Sequence, residues 1–147
     1  MTARLSPYLS FRSGAREALD FYASVLGGTP NVTTYGSFGY GEGPDADLVM
    51  HGALETDAGI NLYAADDNRP DSTRADGPVD PGWVTLALMG DDEAVLRRAW
   101  EGLAESGTVV VPLEAAPWGD SFGEVNDRYG VKWMVNISGA ADPSTPA

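Results

Sequence analysis

Apolar and polar residues follow two rhythms along this chain, and the same succession of rhythms occurs twice. Residues 5–11 alternate with period two, Leu9 and Phe11 facing one way and Tyr8 and Ser10 the other, which predicts a half-buried strand. Ala15, Ala18, Leu19, Tyr22, Val25 and Leu26 then recur at helical spacing, with Ser13 or Gly14 placed to cap the helix and Gly27 and Gly28 to stop it. Residues 31–35 are β-branched and strand-like, and residues 48–55 and 60–64 read as a hairpin about a turn that closes on Gly59. The succession restarts with a strand at residues 83–88. Asp91 or Asp92 caps a second helix with the apolar stripe Val95, Leu96, Ala99, Trp100 and Leu103, and Gly107 follows it. Residues 108–113 predict a strand ended by Pro112, and residues 121–126 and 131–137 a last hairpin closing on Gly130.

The two successions share a register. At an offset of 77, Leu9 matches Leu86, Phe11 matches Leu88, and Leu19 and Leu26 match Leu96 and Leu103. The hairpin glycines Gly59 and Gly130 lie 71 apart, so loop lengths differ between the copies. The pattern predicts an α+β fold of two βαβββ modules, forming a curved, open, barrel-like mixed sheet with helices on the outside and a cavity within. Module 1 spans about residues 5–65 and module 2 about 83–137, within one domain over 1–138. The proline- and aspartate-rich stretch 65–82 reads as the linker. Residues 36–47, rich in glycine and aromatics, fit either a plain loop or a mobile flap at the cavity mouth. The tail 139–147 is small and polar, and is expected to be disordered.

Composition narrows function more than fold. A hydrophobic share of 43% with 21% charged residues over 147 positions suits one globular domain with a proper core. No run approaches the roughly 18 apolar residues of a membrane helix, and the N-terminus lacks the apolar stretch of a signal peptide. Absence of cysteine excludes disulfide and thiolate chemistry and fits a cytoplasmic location. The net charge of −13 argues against nucleic-acid binding, which needs a basic face. That charge serves either solubility or a cleft that concentrates a cationic ligand. No phosphate-binding loop or dinucleotide fingerprint is present, and a single histidine leaves no catalytic triad to assemble.

Particular motifs carry a resemblance. Ala15-Arg-Glu-Ala-Leu-Asp-Phe-Tyr22 followed by Leu26-Gly-Gly28 is similar to the first helix of the vicinal oxygen chelate superfamily, which contains glyoxalase I, the bleomycin resistance proteins and extradiol dioxygenases. Pro7-Tyr-Leu-Ser-Phe11, Val49-Met-His-Gly-Ala-Leu54, Trp118-Gly-Asp-Ser-Phe-Gly-Glu-Val-Asn-Asp127 and Arg128-Tyr-Gly-Val-Lys-Trp-Met-Val-Asn136 resemble its PhnB-like branch. The resemblance covers roughly residues 5–137. It implies an open sheet around a cavity and a homodimer. Metal-dependent members carry His, Gln or Glu on the first and last strand of each module. Here those positions fall among Ser6, Pro7 and Tyr8, on Trp83, on Asn61 or Tyr63, and on Lys132 or Met134. None suits a first-row divalent ion, so no metal and no other cofactor is expected.

Several side chains remain as candidates for chemistry. His51, the sole histidine, fits a general base or ligand-binding group, and equally a half-buried strand histidine with a satisfied hydrogen bond. Glu124 fits a cavity acid with a raised pKa, or an outward strand residue. Asp127, three residues before Gly130, reads as a turn-former. A metal at His51 would need Glu55, Glu124 or Asp127 beside it. Trp133 reads as core, while Trp118 fits either a stacking lid or a dimer-interface anchor. The expected reading is a metal-independent small-molecule binding protein, sequestering a cationic or aromatic compound. Tyr8, Ser10, Asn61 and Tyr63 would line one half of its cavity, and Thr85, Trp118, Glu124 and Met134 the other. Two alternatives stand beside it: an enzyme using His51 or Glu124 in acid–base chemistry or with an atypical metal, and a non-catalytic dimeric interaction protein.

Overall fold

The computed structural model describes residues 3, 5–40, 43–67, 77–78 and 84–139. The chain forms two compact units, Met1–Trp83 and Val84–Ala147. Unit 1 runs β1 (Tyr8–Ser13), α1 (Ala15–Leu26), β2 (Asn31–Thr34), two short 3-10 turns (Gly36–Phe38 and Gly43–Asp47), β3 (Val49–Glu55), β4 (Asn61–Asp66) and β5 (Gly77–Pro78). Unit 2 runs β6 (Thr85–Gly90), α2 (Glu93–Glu105), β7 (Thr108–Ala115), β8 (Ser121–Asn126) and β9 (Lys132–Ile137).

The duplication extends to strand order. Unit 1 orders its strands β2-β3-β4-β1-β5, and unit 2 orders its strands β7-β8-β9-β6. In each, the first strand of the module lies parallel to the last, and the remaining pairs of the module are antiparallel. The hairpin turns match atom for atom at the offset of 71. Thr56 Oγ1 accepts from the Ile60 N–H at 3.0 Å, and Asp127 Oδ1 accepts from the Val131 N–H at 3.1 Å. Gly59 and Gly130, at φ 81° and 85°, complete the two turns in the left-handed region that favours glycine. The α+β fold expected from the pattern is present: each unit is an open mixed sheet with one helix packed on one face.

Burial follows the helical stripes. Ala15, Ala18, Leu19, Tyr22, Val25 and Leu26 are all buried against Phe11, Leu54, Leu62 and Ala64. Leu96, Ala99 and Leu103 play this part in unit 2, with Val95 and Trp100 half-buried at the margin. Each fully buried large side chain contributes about 2 kcal/mol of apolar transfer. Asp92 caps α2 through the Val95 N–H at 3.1 Å, as expected.

The cap of α1 is different from either expected residue. Ser13 belongs to β1, and Gly14 makes no side-chain cap. Asp66, from the end of β4, instead accepts from Ala15 N–H and Val49 N–H, each at 2.9 Å, with 4% of its surface exposed. A carboxylate at a helix N-terminus also meets the positive end of the helix dipole. The stretch read as linker from residue 65 therefore begins later, since Ala65 and Asp66 belong to β4 and Gly77–Pro78 pairs with β1. Its other positions, 68–76 and 79–82, lie outside the described residues, as does Trp83. Pro112 does not end its strand: β7 continues to Ala115, because it is an edge strand where a missing N–H costs no ladder bond. Residues 36–47 hold two 3-10 turns, with the Tyr35 N–H donating to the Leu48 carbonyl at 3.1 Å across their base. Gly139 is tied by its N–H to Asp120 Oδ1 at 2.9 Å, and the tail beyond it lies outside the described residues.

Candidate functional site

Strand alternation sends two sets of residues from unit 1 to opposite faces. Leu9, Phe11, Leu54, Leu62 and Ala64 face α1, so Tyr8, Ser10, His51, Ala53, Glu55, Asn61, Tyr63 and Ala65 share the other face. Register brings their side chains together. Tyr8 is paired with Tyr63, Ala53 with Tyr63, and Glu55 with Asn61. The ring centroids of Tyr8, His51 and Tyr63 form a near-equilateral triangle of 5.7, 5.7 and 6.1 Å. Tyr8 Oη lies 3.0 Å from His51 Nδ1, and the Tyr63 hydroxyl donates to Glu55 Oε1 at 3.2 Å. Burial raises the Tyr8 phenol pKa above its ordinary value, so the group remains protonated at neutral pH. Tyr8 is nonetheless half exposed, so an incoming molecule can reach the cluster.

The candidates of unit 2 also share a face. Thr85 pairs with Lys132, and Glu124 with Met134, on the side of the sheet away from Leu88, Val125, Trp133 and Val135. Trp118 precedes β8 and packs edge-on against Phe122 at 5.8 Å and 64°, with 63% of its surface exposed. Phe122 and Asp120 escaped the sequence reading, although both lie within the Trp118–Asp127 motif. Asp120 fastens the Trp118 turn, accepting from Asn136 Nδ2 at 3.0 Å and from the Gly139 N–H at 2.9 Å. The Asn136 amide first, then the Gly139 N–H, and least the Trp118 side chain hold its carboxyl below the usual carboxylate pKa, against a modest opposing effect of burial. A depressed folded-state pKa means that this stabilisation is full above the unfolded pKa and is lost as pH falls through the lower folded value. Acid unfolding followed by tryptophan fluorescence should show it: Asp120→Asn flattens the loss of stability as pH falls below the ordinary aspartate pKa of about 4. An unchanged acid limb would count against this role.

Asp127 is buried and serves its own turn and Trp133, which removes it as a metal ligand beside His51. Among the described residues no three His, Cys, Asp or Glu side chains are grouped as a metal site requires. Nδ1 of His51 is engaged by Tyr8, and the strand positions Tyr8, Tyr63, Asn61, Lys132 and Met134 supply phenol, amide, ammonium and thioether groups. Among the described residues, no helix is long and apolar enough to cross a membrane.

Comparison with known proteins agrees with this architecture. The profile of the Glyoxalase/Bleomycin resistance protein/Dioxygenase superfamily matches residues 4–135. Protein YjdN of Escherichia coli K12 is 28% identical over 142 residues, covering 90% of this chain and 94% of YjdN. Among solved structures, protein PA1353 from Pseudomonas aeruginosa is 34% identical with a TM-score of 0.75, over 95% of this chain and 100% of that one. The PhnB protein from Bacillus cereus is 22% identical with a TM-score of 0.69, over 92% and 100% of the respective chains, a likeness of fold.

Proposed function

This chain belongs to the Glyoxalase/Bleomycin resistance protein/Dioxygenase superfamily, and from that premise we propose that it binds a small organic molecule, cationic or aromatic, without a divalent metal. The observation that carries the reading is the exposed Tyr8–His51–Tyr63 cluster with Glu55 bonded at its rim. Aromatic side chains supply large contact area at low entropic cost, and a few fixed polar groups orient what they hold. Glu124, Met134, Trp118 and Phe122 form the corresponding surface of unit 2. The net charge of −13 favours cations on approach. The chain is taken to act as a homodimer, which the exposed Val109, Val110 and Val111 on edge strand β7 support.

Purification without added metal, elemental analysis and a thermal-shift screen test this together. The expected result is far less than one metal per chain, and a rise in Tm of about 5 °C with a matching compound near 100 times its Kd. Stoichiometric zinc, nickel or iron that disappears in His51→Ala would overturn the metal-free reading.

The Tyr8–His51 hydrogen bond favours a second reading, in which His51 moves a proton on a bound substrate. A bond at Nδ1 orients the ring, as acid–base catalysis requires. Turnover of any bound compound that vanishes in His51→Ala, with binding retained, would select that reading over sequestration.

A further inference from the structure

Resting on the binding reading, the differences between the two open sheet faces place a ligand's charge and its ring on unit 2. The last hairpins superimpose: Gly52 pairs with Ala64 as Gly123 pairs with Val135, 71 residues on. Phe122 therefore stands in unit 2 where His51 stands in unit 1, and Met134 stands where Tyr63 does. Ala87 lies beside Met134 as Tyr8 lies beside Tyr63. Each member of the Tyr8–His51–Tyr63 cluster thus has an apolar counterpart. At Ala53 the exchange runs the other way, and its counterpart is Glu124. Unit 2 presents an apolar face with an acid at its centre.

The neighbours of Glu124 are apolar on three sides. Val111 and Met134 flank it on the adjoining strands, and Phe122 precedes it by two positions on the same face, roughly 7 Å away. Glu124 is half-buried, and among the described residues it has no hydrogen bond or ion pair. Lys132, the base of this face, has none either, and Glu114 beside Phe122 adds a second acid. Trp118 is exposed next to Phe122, in a turn closed by the Ala116 N–H on the Asp120 carbonyl at 2.7 Å and fastened by the Asp120 carboxylate. An aromatic side chain held in place before binding loses little freedom when it is covered.

Charge decides what can cover such a face. An occupant that dries Glu124 must bring a positive charge, since a buried lone carboxylate is heavily penalised. A neutral apolar surface brings none, and a second copy seated by twofold rotation sets acids against acids. We propose that the open face of unit 2 binds a small aromatic cation, its ring against Phe122, Met134 and Trp118 and its positive charge at Glu124. Coulomb attraction over one or two covalent links from the ring sets the selection, so a quaternary ammonium serves.

Titration of the isotope-labelled full chain with (2-naphthylmethyl)trimethylammonium, 2-naphthalenemethanol, 2-naphthoate and tetramethylammonium, followed by NMR shifts, tests the proposal. The naphthyl cation should bind about tenfold more tightly than the alcohol or tetramethylammonium, with 2-naphthoate weakest, and should shift the Trp118 indole and Met134 methyl signals. Glu124→Gln keeps the size and removes the charge, and should shrink the preference for the cation over the alcohol to about twofold. Glu55→Gln, in unit 1, should leave that preference unchanged. A preference that survives Glu124→Gln, or equal binding of the cation and the alcohol to the unaltered chain, overturns this inference and leaves the binding reading standing. Shifts that follow protein dilution instead of added probe would make the occupant a second copy and overturn it too. No binding of any of the four compounds at about 10 mM removes the binding reading itself, and this inference with it.

Discussion

Replacing Asp127 with alanine is expected to remove about 4 kcal/mol of stability at neutral pH. The carboxylate is only 5% exposed. It accepts from Tyr129 N–H at 2.8 Å, Val131 N–H at 3.1 Å and Trp133 Nε1–H at 2.9 Å. Alanine leaves the buried Val131 amide and the indole N–H without this acceptor. Each unsatisfied donor costs about 1–3 kcal/mol, more when its lost partner was charged. Unit 1 supplies an internal control. Thr56 holds the equivalent turn with a hydroxyl, and Leu62 stands where Trp133 does at the offset of 71, with no N–H to satisfy. Thr56→Ala should therefore cost only about 1 kcal/mol. Urea unfolding of Asp127→Ala, Trp133→Phe and the double variant measures the coupling, and the double variant should recover about 1–2 kcal/mol because the orphaned indole donor is gone. Additive losses, or a loss below about 1 kcal/mol for Asp127→Ala, would show that the carboxylate is not what holds the turn.

Local periodicity accounts for the parts of the fold that are legible in the sequence. The α1 stripe, the α2 stripe and the Asp92 cap each depend on residues within one or two helical turns, and they stand as expected. Asp66 could not be read that way. Its donors, Ala15 N–H and Val49 N–H, lie 51 and 17 residues away, so only the folded sheet makes a cap out of an acid in an acid-rich stretch. Pro112 misled for a related reason: proline breaks a central strand, and the position of β7 at the sheet edge is a property of topology. The site divides along the same line. Alternation placed Tyr8 and Ser10 on one face of β1, and Asn61 and Tyr63 on one face of β4. Meeting His51 requires two long-range registers: Tyr8 beside Tyr63 in a parallel pair, and Gly52 beside Ala64 in an antiparallel one. Those registers place His51 across from Ala65, whose small side chain lets Tyr8 reach over β4 to Nδ1.

Gly123→Ala is expected to cost about 3 kcal/mol, clearly more than the same change at Gly52, although the two glycines occupy equivalent positions 71 residues apart. Both lie on the helix-facing side of the third strand of their unit. At Gly52 an added methyl meets the terminal Cδ1 of Leu19, a side chain that can rotate, and the Ala64 carbonyl at a tolerable 3.2 Å. At Gly123 it meets Leu113 Cα at 2.8 Å, Leu113 N at 2.9 Å and Trp100 Cη2 at 2.8 Å. Backbone cannot rotate aside. The register of β7 against β8 shifts between Val111 and Glu114, so the chain at Pro112 and Leu113 bulges over Gly123. Only a residue without Cβ lets that bulge close. A methyl must push β7 outward or shift Trp100, and Gly52→Ala should lose about 1 kcal/mol by comparison. Displacing β7 also disturbs the neighbours of Glu124 and Phe122, which pair with Val111 and Glu114. Thermal unfolding of the two variants tests the ranking, and tryptophan fluorescence reports whether the Trp118 environment moves with Gly123. Equal losses at the two positions would mean that β7 relaxes as freely as the Leu19 side chain, and that the bulge does not depend on the missing Cβ.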